Sequence, residues 1–161
     1  MFGSGIFLND EVQMLRKLPL FSRADPCKLK RLAFVSKRLH YGPGETLFCC
    51  GDEGDSVYVI LQGTAAVLVP SAGGEPVQVA ELGSNDVVGE IAVLCDGMRT
   101  ATVRAATPLD VLRIGKDVLL RMLNDNPGMA LEVMRALAER LSNTTSELIA
   151  ARSDGAPVPT A

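Results

Sequence analysis

Residues 56–69 read SVYVILQGTAAVLV. Two short apolar runs, Ser56–Leu61 and Thr64–Val69, flank Gln62-Gly63, and each has the length and residue types of a strand rather than a helix. In the first run Val57, Val59 and Leu61 alternate with Tyr58 and Ile60, so both faces are apolar. A strand of that kind is expected inside a small closed roll, covered on both sides. Working outward, further β-like runs lie at Leu47–Cys50, Val77–Leu82, Ala101–Ala105 and Leu109–Ile114. Turn-forming residues separate them: Gly42-Pro43-Gly44, Gly51-Asp52-Glu53-Gly54-Asp55, Ser71 to Pro76 and Gly83 to Asp86. Strands at this spacing with such punctuation indicate an all-β roll, sandwich or barrel over residues 35–115.

Helical texture flanks that region. Residues 10–34 place Val12, Leu15, Leu18, Leu29, Leu32 and Ala33 at helical intervals. Pro19 breaks the first piece, and Asp25-Pro26 supplies a cap and an N1 proline for the second. The basic run Lys28, Lys30, Arg31, Lys37 and Arg38 reads as a solvated helix face. On the C-terminal side, Asp117–Asn124 predicts a short helix stopped before Pro127, and Met129–Arg152 a long one free of Gly and Pro. Along it Ala130, Met134, Leu137, Leu141, Thr144, Leu148 and Ala151 recur at intervals of 4, 3, 4, 3, 4 and 3. This is a heptad seam, apolar except at Thr144. The fold class is therefore α+β. Residues 1–10 form an N-terminal extension, 11–152 one domain, and 153–161, with Gly155, Pro157 and Pro159, a disordered tail.

Composition narrows the function. The chain has 161 residues, enough for one domain with a real core and no disulfide staples. Sixteen Lys and Arg against 19 Asp and Glu leave a net charge of −3, which argues against nucleic acid as the main partner. No apolar run approaches the ~20 residues of a membrane span, and the start, MFGSGIFLNDE, lacks a basic n-region. Both absences lead us to expect a cytoplasmic protein. Cys27, Cys49, Cys50 and Cys95 form no C-x-x-C, and with one histidine there is no metal-ligand spacing. They read as small buried hydrophobes in a reducing compartment. His40, between Leu39 and Tyr41, reads as structural. No catalytic motif is present, so no catalytic residue, metal or cofactor is expected.

The stretch that carries chemistry is Val88–Ala105, VGEIAVLCDGMRTATVRA. Gly89 permits backbone that other residues do not, or a close approach. Glu90–Leu94 can then make one helical turn with free N–H groups at its start, and Cys95-Asp96-Gly97-Met98 a turn that brings Arg99 back towards it. Two arrangements fit. Glu90 and Arg99 can form an internal salt bridge at a β-corner. Alternatively they share a pocket, in which Arg99 and the free N–H groups suit a singly charged phosphate and Glu90 a sugar hydroxyl.

These residues resemble the cyclic nucleotide-binding domain family, of the catabolite activator and kinase regulatory subunit type. Its phosphate-binding cassette runs Phe-Gly-Glu, two apolar residues, a short turn, then Arg, a small residue and Ala-Thr-Val. Here the chain has Gly89-Glu90, Ile91-Ala92 and Arg99-Thr100-Ala101-Thr102-Val103, with Val88 where Phe is common. YGPGE at 41–45, GDEGD at 51–55 and LQG at 61–63 fall where the family turns its roll. The resemblance covers residues 11–150 and implies an eight-stranded antiparallel β-roll, jelly-roll-like, flanked by N-terminal helices and a long C-terminal helix.

It also implies roles. Arg99 would pair with the cyclic phosphate, helped by the N–H groups of Ile91 and Ala92 behind Gly89. Glu90 would accept from the ribose 2′-hydroxyl, Thr100 and Ala101 would sit against phosphate or purine, and Val67 and Val79 would line the base pocket. Thr144 and Thr145 fall where activators of the family place base-reading hydroxyls on a helix that also forms the dimer. For Thr144 an interface residue, or an ordinary helix packed on its own roll, stays open. The expected ligand is cAMP, ahead of cGMP. The expected partners are an unidentified effector protein and a second copy joined through residues 130–151. Family activators continue into a helix-turn-helix, whereas here a Pro/Gly tail follows, so the expectation is a stand-alone sensor without a DNA-binding domain. The alternatives are a regulatory fragment of a channel, transporter or enzyme, and a ligand-free interaction module.

Overall fold

The structure, a computed structural model, describes residues 12–18, 21–22, 25–95 and 97–153. The expected extension at 1–10, the break at Pro19, the tail from 154 and the turn position Asp96 lie outside the described residues. Helix α1 covers residues 12–17. Helix α2, Pro26–Val35, starts as expected: Asp25 is the N-cap, its side chain accepts from the Cys27 N–H at 3.0 Å, and Pro26 occupies the first turn. Eight strands follow: β1 (Lys37–Tyr41), β2 (Thr46–Phe48), β3 (Ser56–Gln62), β4 (Ala65–Val69), β5 (Val77–Leu82), β6 (Val87–Val88), β7 (Thr102–Ala105) and β8 (Leu109–Gly115). The short helix α3, Glu90–Leu94, stands between β6 and β7, and α4 (Lys116–Asp125) and α5 (Pro127–Ser153) close the described chain.

All strand pairs are antiparallel and form two four-stranded sheets, ordered β1-β8-β3-β6 and β2-β7-β4-β5. The two-faced hydrophobicity of β3 has a definite cause. Tyr58 and Ile60 point into the roll with Val88, Val103, Leu109 and Val111. Val57, Val59 and Leu61 point the other way, into a second core with Leu15, Leu18, Phe21, Leu29, Leu32, Leu119 and Met129. Strand β8 divides likewise, with Leu109 and Val111 inward and Leu112 and Ile114 towards the helices. The helices thus cover the outer face of one sheet, which is why residues of both parities are buried.

Two expectations need correction. The cysteines are free but exposed, not buried. Cys49 and Cys50 lie beyond the end of β2, where their N–H groups donate to the Asp52 carboxylate and the Thr102 hydroxyl, both at 2.9 Å. Cys27 sits on the outer side of α2 and Cys95 caps α3. Lys37 and Arg38 belong to β1, not to a helix face. His40, read as structural, has an exposed side chain with Nδ1 2.8 Å from Oδ1 of Asp110, its cross-strand neighbour.

Candidate functional site

The site is built around α3 and the loop that leads to β7. Gly89, the α3 N-cap, has φ +86°, and a Cβ there would lie 2.3 Å from Arg99 Nη1. Both the backbone and the neighbour therefore exclude a side chain. The other side of α3 is held by Gly54, where a Cβ would lie 2.3 Å from the Ala92 Cβ. That contact seats the 51–55 turn against α3. Arg99 lies in the loop three residues before β7, not on the strand. Its backbone is clamped to the 51–55 turn, with Arg99 N–H donating to Asp52 O at 2.7 Å and Gly51 N–H donating to Arg99 O at 2.9 Å.

Arg99 is a buried cation, only 3% exposed. Its Nη1 donates to Gly89 O at 2.8 Å and its Nη2 to Ser56 O at 2.6 Å. The guanidinium carbon lies 4.1 Å from the centre of the Phe48 ring. The closest carboxylate oxygen is that of Asp55 at 3.8 Å, itself on an exposed side chain shared with Arg113, and Arg99 Nε is buried with no hydrogen-bond partner. Burial pushes the Arg99 pKa down, opposed chiefly by Tyr58 and Asp55. The group stays charged, because an arginine does not deprotonate in proteins. The result is a desolvated positive charge without a close carboxylate partner.

Glu90 does not pair with Arg99. Its carboxylate accepts from Arg140 of α5. The internal Glu90–Arg99 bridge is thus absent, and Arg140 is a residue that the sequence reading missed.

These groups open onto a cavity of about 430 Å³ between the roll and α5. Val67, Val79, Val88, Gly89, Glu90, Ile91, Ala92, Arg99, Thr100 and Ala101 all line it, as does Thr144. Thr145 is not in its lining, and its hydroxyl donates to Leu141 O at 2.9 Å. Phe48, Arg140 and Glu147 are lining residues that were not foreseen. Arg140, Thr144 and Glu147 stand at i, i+4 and i+7, one face of α5, and that spacing was the available signal. Of the four charged lining residues Glu90 and Arg140 neutralise each other, leaving Arg99 on the roll side and Glu147 on the helix side. The first N–H groups of α3 lack acceptors within the helix. Together they offer a cation and N–H donors for one negative charge, an apolar wall, and oxygen acceptors opposite.

No group of three or more His, Cys, Asp or Glu among the described residues is placed to hold a metal, and no described helix is long and apolar enough to cross a membrane.

Comparison with known proteins yields a consistent set. The family model described as the cyclic nucleotide-binding domain matches residues 38–126. An uncharacterized NTE family protein of Mycobacterium bovis is 32% identical over 127 residues, which is 79% of this chain and 21% of that protein. A CRP-like cAMP-activated global transcriptional regulator of Mycobacterium tuberculosis is 24% identical over 84% of this chain and 61% of its own length. The chain therefore spans about a fifth of the first relative and under two thirds of the second. Among solved structures, the N-terminal domain of a transcriptional regulator from Streptomyces coelicolor A3(2) superposes with a TM-score of 0.66 at 34% identity, covering 83% of this chain and 95% of that one.

Proposed function

The chain belongs to the cyclic nucleotide-binding domain family, and we propose that its cavity takes a cyclic nucleotide, cAMP somewhat ahead of cGMP, and that occupancy is signalled through α5. The observation that carries this reading is Arg99: a buried guanidinium, its Nε unpartnered, in the wall of a cavity of about 430 Å³. A cyclic phosphodiester carries one negative charge, so one arginine with the N–H groups of Ile91 and Ala92 is electrostatically sufficient. Arg99 leaves its carbonyl acceptors for a charged one, which is the stronger bond. Glu90 accepts from the ribose 2′-hydroxyl. A carboxylate has lone pairs for both this and Arg140. Thr100 and Ala101 lie beside the phosphate, and Val67 and Val79 cover the base.

The preference for cAMP rests on Thr144. Its hydroxyl donates to Arg140 O at 2.9 Å, which leaves the oxygen as an acceptor towards the cavity. An acceptor fits the exocyclic amine of adenine, and does not fit the O6 carbonyl of guanine. One neutral hydrogen bond contributes about 1 kcal/mol, so discrimination is modest, about fivefold.

The signal runs through α5. Among the residues of this helix whose burial is described, only Met129 and Val133 are buried, and residues 138–150 are exposed. Ligand at Glu90 and Thr144 changes the balance between helix positions that already exist in the free protein. The exposed seam, with Met134 60%, Leu141 69% and Leu148 48% accessible, is where a second copy packs. A second reading is a regulatory unit of a longer protein, favoured by the relative of which this chain spans 21%. The intact mass of the native gene product separates the two.

Equilibrium dialysis of the 161-residue chain against cAMP and cGMP tests the proposal. Saturable binding of cAMP, tighter than that of cGMP and weakened several-fold by Thr144→Val, is expected. Absence of saturable binding of either nucleotide up to about 1 mM refutes it.

A further inference from the structure

Away from the nucleotide cavity, and sharing no residue with it, a groove of about 160 Å³ runs between α2 and α4. Each wall is one helical stripe. Lys28, Arg31 and Val35 stand on α2 at i, i+3 and i+7, and Val118, Arg121 and Met122 stand on α4 at i, i+3 and i+4. The floor is apolar, with buried Leu32 and half-buried Val118 and Met122, and Val35 at its end is 51% exposed.

The rim is cationic, carrying Lys28, Arg31 and Arg121 against a single lining carboxylate, Asp125, on a chain whose net charge is −3. Neither Arg31 nor Arg121 forms an ion pair among the described residues. Lys28 donates to Asn126 Oδ1 at 3.0 Å, not to a carboxylate. Positive charge thus exceeds negative along this groove, three cations to one carboxylate.

We propose that this groove is a docking surface for a helical segment of a partner protein, two to three turns long, apolar on one face and acidic on the other. Its apolar residues enter between the two stripes, and its carboxylates meet Lys28, Arg31 and Arg121. The stripes run for about 10 Å, the length of two helical turns. Concavity favours a helix over a lipid surface, because the apolar groups here line a furrow. Asn126, at the end of the groove, also accepts the N–H groups of Met129 and Ala130 that begin α5. The occupant therefore sits beside the junction from which the signalling helix leaves. The groove stands independently of the nucleotide reading, so its test needs no nucleotide.

The test uses a fluorescein-labelled peptide of about 15 residues, with Leu at i, i+3, i+4 and i+7 and Glu on the outer positions. It is titrated with the full chain by anisotropy beside a counterpart carrying Lys for Glu. Saturable binding of the Glu peptide below about 1 mM is expected, with the Lys peptide at least about tenfold weaker. Arg31→Glu combined with Arg121→Glu, both on exposed positions and checked for an unchanged circular dichroism spectrum, is expected to lose the Glu peptide by at least about tenfold. No binding of the Glu peptide, equal binding of both peptides, or indifference to the charge reversal overturns the proposal. So does sedimentation with phosphatidylserine vesicles that the charge reversal abolishes while the Glu peptide stays unbound, because the occupant is then a membrane.

Discussion

Gly89 and Arg99 act as one unit at the smallest scale, with the neighbouring Glu90 turned to Arg140. The positive φ of Gly89 turns its carbonyl to Arg99 Nη1 and keeps the space that the guanidinium fills. Gly89→Ala adds a Cβ into that space and strains the backbone, so roughly 1–3 kcal/mol of folding stability should be lost. Urea denaturation checks this, and nucleotide affinity should fall with it because Arg99 must move. Glu90→Gln keeps a neutral acceptor for a ribose hydroxyl. Affinity should fall by about 1–2 kcal/mol without loss of fold, measured by calorimetric titration. These three residues were legible in the sequence because the cassette fixes their order and spacing. The unpartnered Nε was not legible, since it depends on how Ser56 and Phe48 arrive from other strands.

Among the elements, those with a strong internal pattern were read closely. Strand β5 is Val77–Leu82 as expected, and α4 and α5 begin one to two residues before their expected starts. Two strands escaped. Strand β1 reads KRLHY, with charged residues that continue the basic run of α2; it pairs with β8 and only Leu39 and Tyr41, half-buried, pack against the roll core. Strand β6 is Val87–Val88, too short to show a period. The heptad seam of α5 is explicit in the sequence, whereas the function of the adjacent face is not. Arg140, Thr144 and Glu147 look like ordinary surface residues until the roll is folded beneath them.

The Arg140–Glu90 ion pair is the polar tie between α5 and the cassette. Arg140→Ala should loosen α5, raising hydrogen exchange of the backbone amides after Val133 while the roll stays protected. Because Glu90 remains, nucleotide affinity should change by less than about tenfold, below the effect of removing Arg99.

For the molecule as a whole, the two cores set what is rigid and what moves. The roll interior and the helix-covered face of β3 and β8 contain the fully buried side chains, whereas α5 leaves the core after Val133. Such a helix holds its place through few contacts and is open to a partner. If residues 130–151 join two copies, Met134→Glu with Leu141→Glu should give monomers by light scattering at concentrations where the wild type is dimeric. Both positions are more than half exposed, so the fold should survive. The seam is about three heptads long, so a concentration-dependent equilibrium is expected.

Calorimetric titration of cAMP into the wild-type chain and into Arg99→Ala bears most directly on the central claim that the buried arginine, its Nε unpartnered, receives a cyclic phosphate. Removing one partner of a buried charged pair typically costs about 2–5 kcal/mol. The variant should therefore bind at least about thirtyfold more weakly, ~2 kcal/mol, while its circular dichroism spectrum is unchanged. A dissociation constant within about threefold of the wild type would place the ligand elsewhere and contradict the account.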